Sequence, residues 1–339
     1  MKKTAFVAAL CVATFLSCND SGTETTQTSS TGNSDKVVSV AGLQLDLNAN
    51  PEWQHNNLRL YPVLAEVGAL QANVLPDLET LAEGMNTPGF RITERKQFGR
   101  ERDNWYNGLT VQNKSTEAIF LMAGDVVTGG NQDRVIAHDD IIRPGTVKNI
   151  AVFCVEAGRS SYYDPSAPES EKRVAAFRGY YNVASPQVRQ AVYSGNQQGV
   201  WNAVSAVTSA NQATSSTQAY AALETENAQK NLREGYLRFF EGKFSDLRNA
   251  VGIVAVCNGK VIGVDVFGQP DLFQKQFKAL LHGYAAEAAV GKTSNNPNVN
   301  QMAAKAFREV ADEAAPTRTG TEQVGKFSSG DVWVHLYSK

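Results

Sequence analysis

Asn258-Gly259 sits between two runs of apolar, largely β-branched residues, Val251–Cys257 and Lys260–Phe267. A two-residue Asn-Gly connection favours the type I′ turn, whose twist matches that of paired antiparallel strands. The two runs are therefore expected to form a hairpin, and the rest of the chain must pack around it. A helix start follows at Pro270-Asp271, because proline suits the first helical turn and a carboxylate there complements the helix dipole. Phe273, Phe277, Leu280, Leu281, Tyr284 and Ala288 give that helix an apolar face. Met302, Ala303, Ala306, Phe307, Val310 and Ala314 mark a second helix, and Asp331–Tyr337 a closing strand.

The N-terminal half reads as short strands: Leu58–Leu64, Phe90–Glu94, Leu109–Gln112, Ala118–Ala123, Arg134–Ile142 and Val147–Val155, with a short helix over Leu78–Met85. Pro62 points to an edge position or a strand end. Pro144-Gly145 reads as a turn joining antiparallel strands. From about 169 to 246 the chain turns rich in Ala, Gln, Asn and Ser, and its spacing becomes helical. Val200, Trp201, Val204 and Val207 form one stripe; Leu232, Tyr236, Phe239 and Phe240 form another. Thr208–Thr217 is polar and reads as a loop. The pattern predicts one α+β domain over 37–339, with an antiparallel β-sandwich-like core, a helical insertion at about 169–246 and C-terminal helices packed on the sheet.

Ahead of this domain, Met1-Lys2-Lys3 and the apolar run Ala5–Leu16 form a secretory leader over 1–17. The run is shorter than the roughly 20 apolar residues that a membrane-spanning helix needs. It ends Phe15-Leu16-Ser17-Cys18, a relaxed lipobox, so Cys18 is expected to carry a lipid as the first mature residue. Residues 18–36 hold no aliphatic or aromatic side chain after the cysteine, as suits a flexible tether. About 18 such residues reach on the order of 20–25 Å. The expected location is the cell envelope, on the outer or inner membrane, facing the periplasm or the cell surface.

Losing Lys2 and Lys3 with the leader leaves 30 basic and 34 acidic side chains, a net of −4. That balance, without a basic cluster interleaved with aromatics, argues against nucleic acid as a partner. There is no GxSxG nucleophile elbow. Gly291-Lys292-Thr293 lacks the leading glycine of a phosphate loop and follows a helix, so it reads as a helix C-terminus. His55, His138, His282 and His335 are scattered, and no zinc spacing or other metal site is expected. Cys154 and Cys257 lie in apolar strands and read as buried free thiols, with a bridge between neighbouring strands in an oxidising compartment as the alternative. No cofactor is indicated.

Two segments carry chemistry-bearing residues. Ala123–Arg134 (AGDVVTGGNQDR) packs Asp125, Gly129, Gly130, Asn131, Gln132 and Arg134 between apolar runs. Glycines allow close backbone approach, and arginine suits bidentate contact with phosphate or carboxylate. A polar hairpin tip held by its own side chains has the same composition. Cys154–Arg159 ends the next strand with Glu156 and Arg159; a Glu156 salt bridge to Arg134 or Arg159 is expected. Asp265 interrupts the strand Val261–Phe267, and if covered it needs an arginine partner.

These segments resemble a bacterial and archaeal family, the ARPP type, associated with ADP-ribosylglycohydrolases and rhodanese/phosphatase proteins. The resemblance rests on the GD…GG-NQDR run, the CVE-AGR run and NGKVIGVDVFGQPDLFQKQFKALLHGYA, and extends over about 57–339. Val126 and Ser160 depart from the family pattern, which has an acid and an aromatic there. The resemblance implies a link to ADP-ribose or NAD-related processing. The expected function is binding of a polar small molecule or partner protein at Asp125, Gly129, Gly130, Asn131, Gln132, Arg134, Glu156 and Arg159. The alternative is a hydrolase acting on an ADP-ribose- or nucleotide-related substrate, with Glu156 or Asp265 as general acid/base.

Overall fold

The computed structural model describes residues 36–48, 51–70, 73, 75–94, 108–159, 176–291, 294 and 296–339. The leader, Cys18 and most of the tether lie outside the described residues. Elements are numbered in chain order. The largest sheet runs β1 (Val37–Val40), β2 (Leu43–Asp46), β4 (Leu58–Ala65), β14 (Ala250–Cys257), β15 (Lys260–Phe267), β17 (Val332–Ser338) and β16 (Val324–Ser329), with β3 (Gln54–His55) also on β4. A second sheet runs β13 (Phe177–Val183), β9 (Asp125–Gly129), β10 (Arg134–Ile136), β12 (Val147–Cys154), β7 (Gly108–Asn113) and β6 (Phe90–Glu94). A third has β11 (Asp140–Ile142), β8 (Ala118–Leu121) and β5 (Leu78–Thr80). Among the described residues every strand pairing is antiparallel except β5 with β8. The helices are α1 (Leu81–Gly84), α2 (Pro186–Tyr193), α3 (Gln197–Ala210), α4 (Ala228–Phe240), α5 (Pro270–Ala288) and α6 (Val299–Ala311). The fold class is α+β.

The Asn-Gly hairpin is the hub of the large sheet. Asn258 and Gly259 have φ 53° and 71°, both left-handed, as a type I′ turn requires. Strand alternation divides β14 between two cores. Ile253, Ala255 and Cys257 face α5, alongside Phe273, Phe277, Leu280 and Tyr284. Val254 and Val256 face α6, alongside Ala303, Phe307 and Val310. With both faces covered, every β14 residue is buried. Each such aliphatic or aromatic side chain contributes about 1.5–3 kcal/mol of burial energy.

The other side of α5 meets Leu78, Phe120 and Val183 from the smaller sheets, and Met122 just after β8. Those two sheets make the sandwich. Ile92, Leu109, Val111, Val127, Ile136 and Val152 of one pack on Ile119, Leu121 and Ile142 of the other. Helices α2 and α3 cover the outer face through Val188, Val192, Val200, Val204 and Val207. Asp35–Lys339 clusters as one compact unit.

Several expectations shift. Arg134–Ile142 is two strands: the chain leaves the second sheet after Ile136 and enters the third at Asp140. The Pro144-Gly145 turn therefore joins strands of different sheets, and β12 pairs with β10. The span expected to be helical opens with strand β13, whose partner β9 lies some 50 residues earlier in sequence. On α4 the buried face is Arg233, Tyr236 and Phe240, and Leu232 is 48% exposed. On α6 Met302 is exposed. Pro62 lies in an interior strand, but on one flank β2 pairs only at Val63–Ala65 and β3 only at Leu58–Arg59. Proline thus occupies a gap between ladder partners. Cys154 and Cys257 are buried and free.

Candidate functional site

The expected site residues separate into two clusters. The first is a corner where β9 turns into β10. Gly129 and Gly130 have φ 111° and 57°, and a Cβ on Gly130 would lie 2.4 Å from the Phe177 ring. Glycine is therefore required there. The turn is closed by Gly129 N–H donating to Asp133 Oδ1 at 2.9 Å. Arg159 clamps it: its guanidinium donates to Gly130 O (2.6 Å), Gly129 O (3.2 Å), Asp133 Oδ1 (3.1 Å) and Glu156 Oε2 (2.8 Å). Burial alone would raise Glu156, but the Arg159 bond and the Asp133 N–H outweigh it and hold the carboxyl below its ordinary value. Burial raises Asp133.

Arg134 enters the same corner from below and is 2% exposed. Its Nη1 donates to Gln132 Oε1 at 2.7 Å and to Cys154 Sγ, while its Nη2 is 3.5 Å from Glu94 Oε1. Nε has no partner among the described residues. A buried guanidinium with one distant carboxylate and an idle N–H is under-paired, a costly state for a buried charge. Burial raises the Cys154 thiol, so this cysteine is a neutral neighbour rather than a nucleophile. Asn131 joins the corner through its backbone N–H, which donates to Glu94 Oε1 at 2.8 Å.

The second cluster is closed. Asp265, fully buried, receives two guanidinium bonds from Arg189 (2.6 and 3.0 Å), the Tyr284 hydroxyl and His335 Nε2 at 3.2 Å. His335 Nδ1 pairs with Asp139 Oδ2 at 2.8 Å, and Asp139 Oδ1 accepts from Ala123 N–H at 2.7 Å. Burial would raise Asp265, but the Arg189 charge and the His335 bond outweigh it and hold the carboxyl far below the usual range. Burial would lower His335, but Asp139 and Asp265 raise it above its ordinary value. Asp125 belongs here and not with the corner. It accepts from Met122 N–H (2.7 Å), the Tyr180 hydroxyl (2.8 Å) and Gln276 Nε2 (3.1 Å). Burial raises it to about 7 against those three donors, and Asp139 adds to the rise.

The corner thus gathers Gly129, Gly130, Asn131, Gln132, Arg134, Glu156 and Arg159, and leaves out Asp125 and Asp265. Of the two salt bridges expected for Glu156, the one to Arg159 forms. Asp265 has its arginine, Arg189. Sequence reasoning missed Glu94, at the end of β6, and the whole Asp139–His335 link. Asp139 pairs with His335, while its neighbour Asp140 pairs with Lys148. The signal for His335 was slight, a polar residue amid the apolar run Val332–Leu336.

A family model described as the ARG and Rhodanese-Phosphatase-superfamily-associated Protein domain, ARPP-1, matches residues 46–331. The chain belongs to the ARPP-1 family. No curated protein and no solved structure matches it. The ARPP-1 match spans the corner, the Asn-Gly hairpin and both C-terminal helices; of the second cluster it includes Asp125, Asp139, Arg189, Asp265 and Tyr284 and ends before β17, which carries His335.

Proposed function

We propose that this ARPP-1 protein is a lipid-anchored component of the cell envelope that binds a polar small molecule carrying a phosphate or carboxylate. The proposed site is the corner of Arg134, Arg159, Gln132, Glu94 and the Gly129-Gly130 turn. The observation that carries the reading is the idle Nε of Arg134, a donor on a 98%-buried guanidinium whose nearest carboxylate is 3.5 Å away. Nε is itself covered, so an anion that displaces the side chains over it would supply the missing charge-assisted bond. Arg159, whose side chain is 22% exposed, offers a second cation at the rim.

The hydrolase alternative gains no support from the groups assigned to it. Asp265 is fully enclosed and held ionised, and Glu156 is held ionised by Arg159. Neither can act as a general acid near neutral pH, and Asp265 is enclosed away from any substrate as a base. Thermal-shift screening against inorganic phosphate, ADP-ribose, nucleotides and sugar acids tests the binding reading. A phosphate-bearing ligand should raise the melting temperature of the parent and leave Arg134→Gln unmoved. Equal shifts in both proteins would rule the corner out. The anchor is tested separately: Cys18→Ala should lose lipid labelling and leave the membrane fraction.

A further inference from the structure

A second concavity lies on the opposite side of α5 from the sandwich, between α4, α5 and the turn that follows α4. It encloses about 430 Å³ and is predominantly apolar. Leu237, Phe244, Phe277 and Leu281 form its floor. Small-molecule sites are typically concavities of about 300–1,000 Å³ with apolar walls and a few placed polar groups. Here the placed polar group is His282. Its ring is half-buried in the wall and makes no hydrogen bond or ion pair among the described residues. Burial holds it below its ordinary pKa, so near neutral pH it presents one N–H donor and one lone pair without charge.

The rim carries charge that is already matched. Arg238 pairs with Glu234 at 3.5 Å, and Lys278 with Glu241 at 3.7 Å. These charges are paired with each other and largely exposed to solvent, so they offer little to a charged head group, and the apolar floor and the neutral His282 dominate what the cleft can hold. We infer that this cleft binds an uncharged amphipathic small molecule, with an aromatic or acyl body on the phenylalanine floor and one hydrogen-bonding group at His282. The site shares no residue with the Arg134 corner and stands or falls independently of it.

The neutral aromatic amine N-phenyl-1-naphthylamine tests this by fluorescence titration of the full chain. Saturable binding at one molecule per chain is expected. The N-methylated analogue, which lacks the N–H, should bind about threefold to tenfold more weakly, the worth of one hydrogen bond. In His282→Phe that preference should vanish. Ser245→Trp, which fills the mouth from an exposed position, should weaken binding at least tenfold. Lys278→Trp closes the rim from the α5 side and serves if the first variant is poorly folded. Non-saturating fluorescence, binding that survives both tryptophan variants, or an unchanged preference in His282→Phe would each overturn the assignment.

Discussion

Two arginines in this protein are almost equally buried, yet they do opposite things. Arg189 gives Asp265 two guanidinium bonds, and its Nε and Nη2 also donate to the Tyr193 hydroxyl at 3.2 and 3.0 Å. Arg134 reaches an amide, a thiol and a carboxylate 3.5 Å off, and its Nε is idle. The first guanidinium is spent on holding the β15, α2 and β17 contacts together. The second has capacity left. Polar crowding is common to both clusters; what separates them is the incomplete pairing of a desolvated charge, on which the proposed site rests.

The sharpest way to break this comparison is to make the same change at both positions. Arg189→Met should destabilise the fold by about 3–5 kcal/mol, because it strands Asp265 as a buried charge with only His335 and Tyr284 beside it. Urea unfolding reads this directly, and a loss under about 1 kcal/mol would show that the cluster does not tie the layers together. Asp125→Asn comes next. Its carboxyl is raised from 3.8 to about 7, so the folded state binds the proton more tightly than the unfolded state does. The parent therefore loses stability as pH rises from about 4 to about 7, and the variant lacks that loss. The stability gap between parent and variant should shrink by on the order of 3–4 kcal/mol over that window. The Asp265 contribution runs the other way, fully present at neutral pH and lost only as pH falls below about 4.

Arg159→Ala should have a smaller effect, about 1–2 kcal/mol, since the clamp on Asp133 and Glu156 is partly open to solvent. Arg134→Met should change stability least, within about 1 kcal/mol, because an under-paired buried cation gains little from its partners. A large loss there would mean that Arg134 is structural, like Arg189.

What the sequence disclosed was local. Asn258-Gly259, Pro270 and the Phe273–Tyr284 stripe each encode their element within a few residues, and each formed as expected. Strand β13 was passed over although Phe177, Tyr180, Tyr181 and Val183 favour strands, because Gly179 and Asn182 break the alternation and its pairing with β9 is itself irregular. The hairpin of β1 and β2 also went unread, although Val37–Val40 and Leu43–Asp46 flank the Ala41-Gly42 turn. Within the candidate site, the turn glycines, the Glu156–Arg159 pair and the need of Asp265 for an arginine were legible. Which arginine was not, since Arg189 is 76 residues from Asp265 in the chain. Asp125 was misgrouped because β9 carries its first residue toward α5 and its last toward the corner, so adjacency in sequence did not mean a shared site.

The central claim is that Arg134 has a guanidinium nitrogen without a partner, whereas every Arg189 nitrogen has one. Arginine-selective ¹⁵N NMR follows each Nε–H signal while inorganic phosphate is added. The Arg134 signal, assigned by its absence in Arg134→Met, should shift and saturate, and the Arg189 signal should not move. A stationary Arg134 signal throughout a phosphate titration that shifts other arginines would contradict the account.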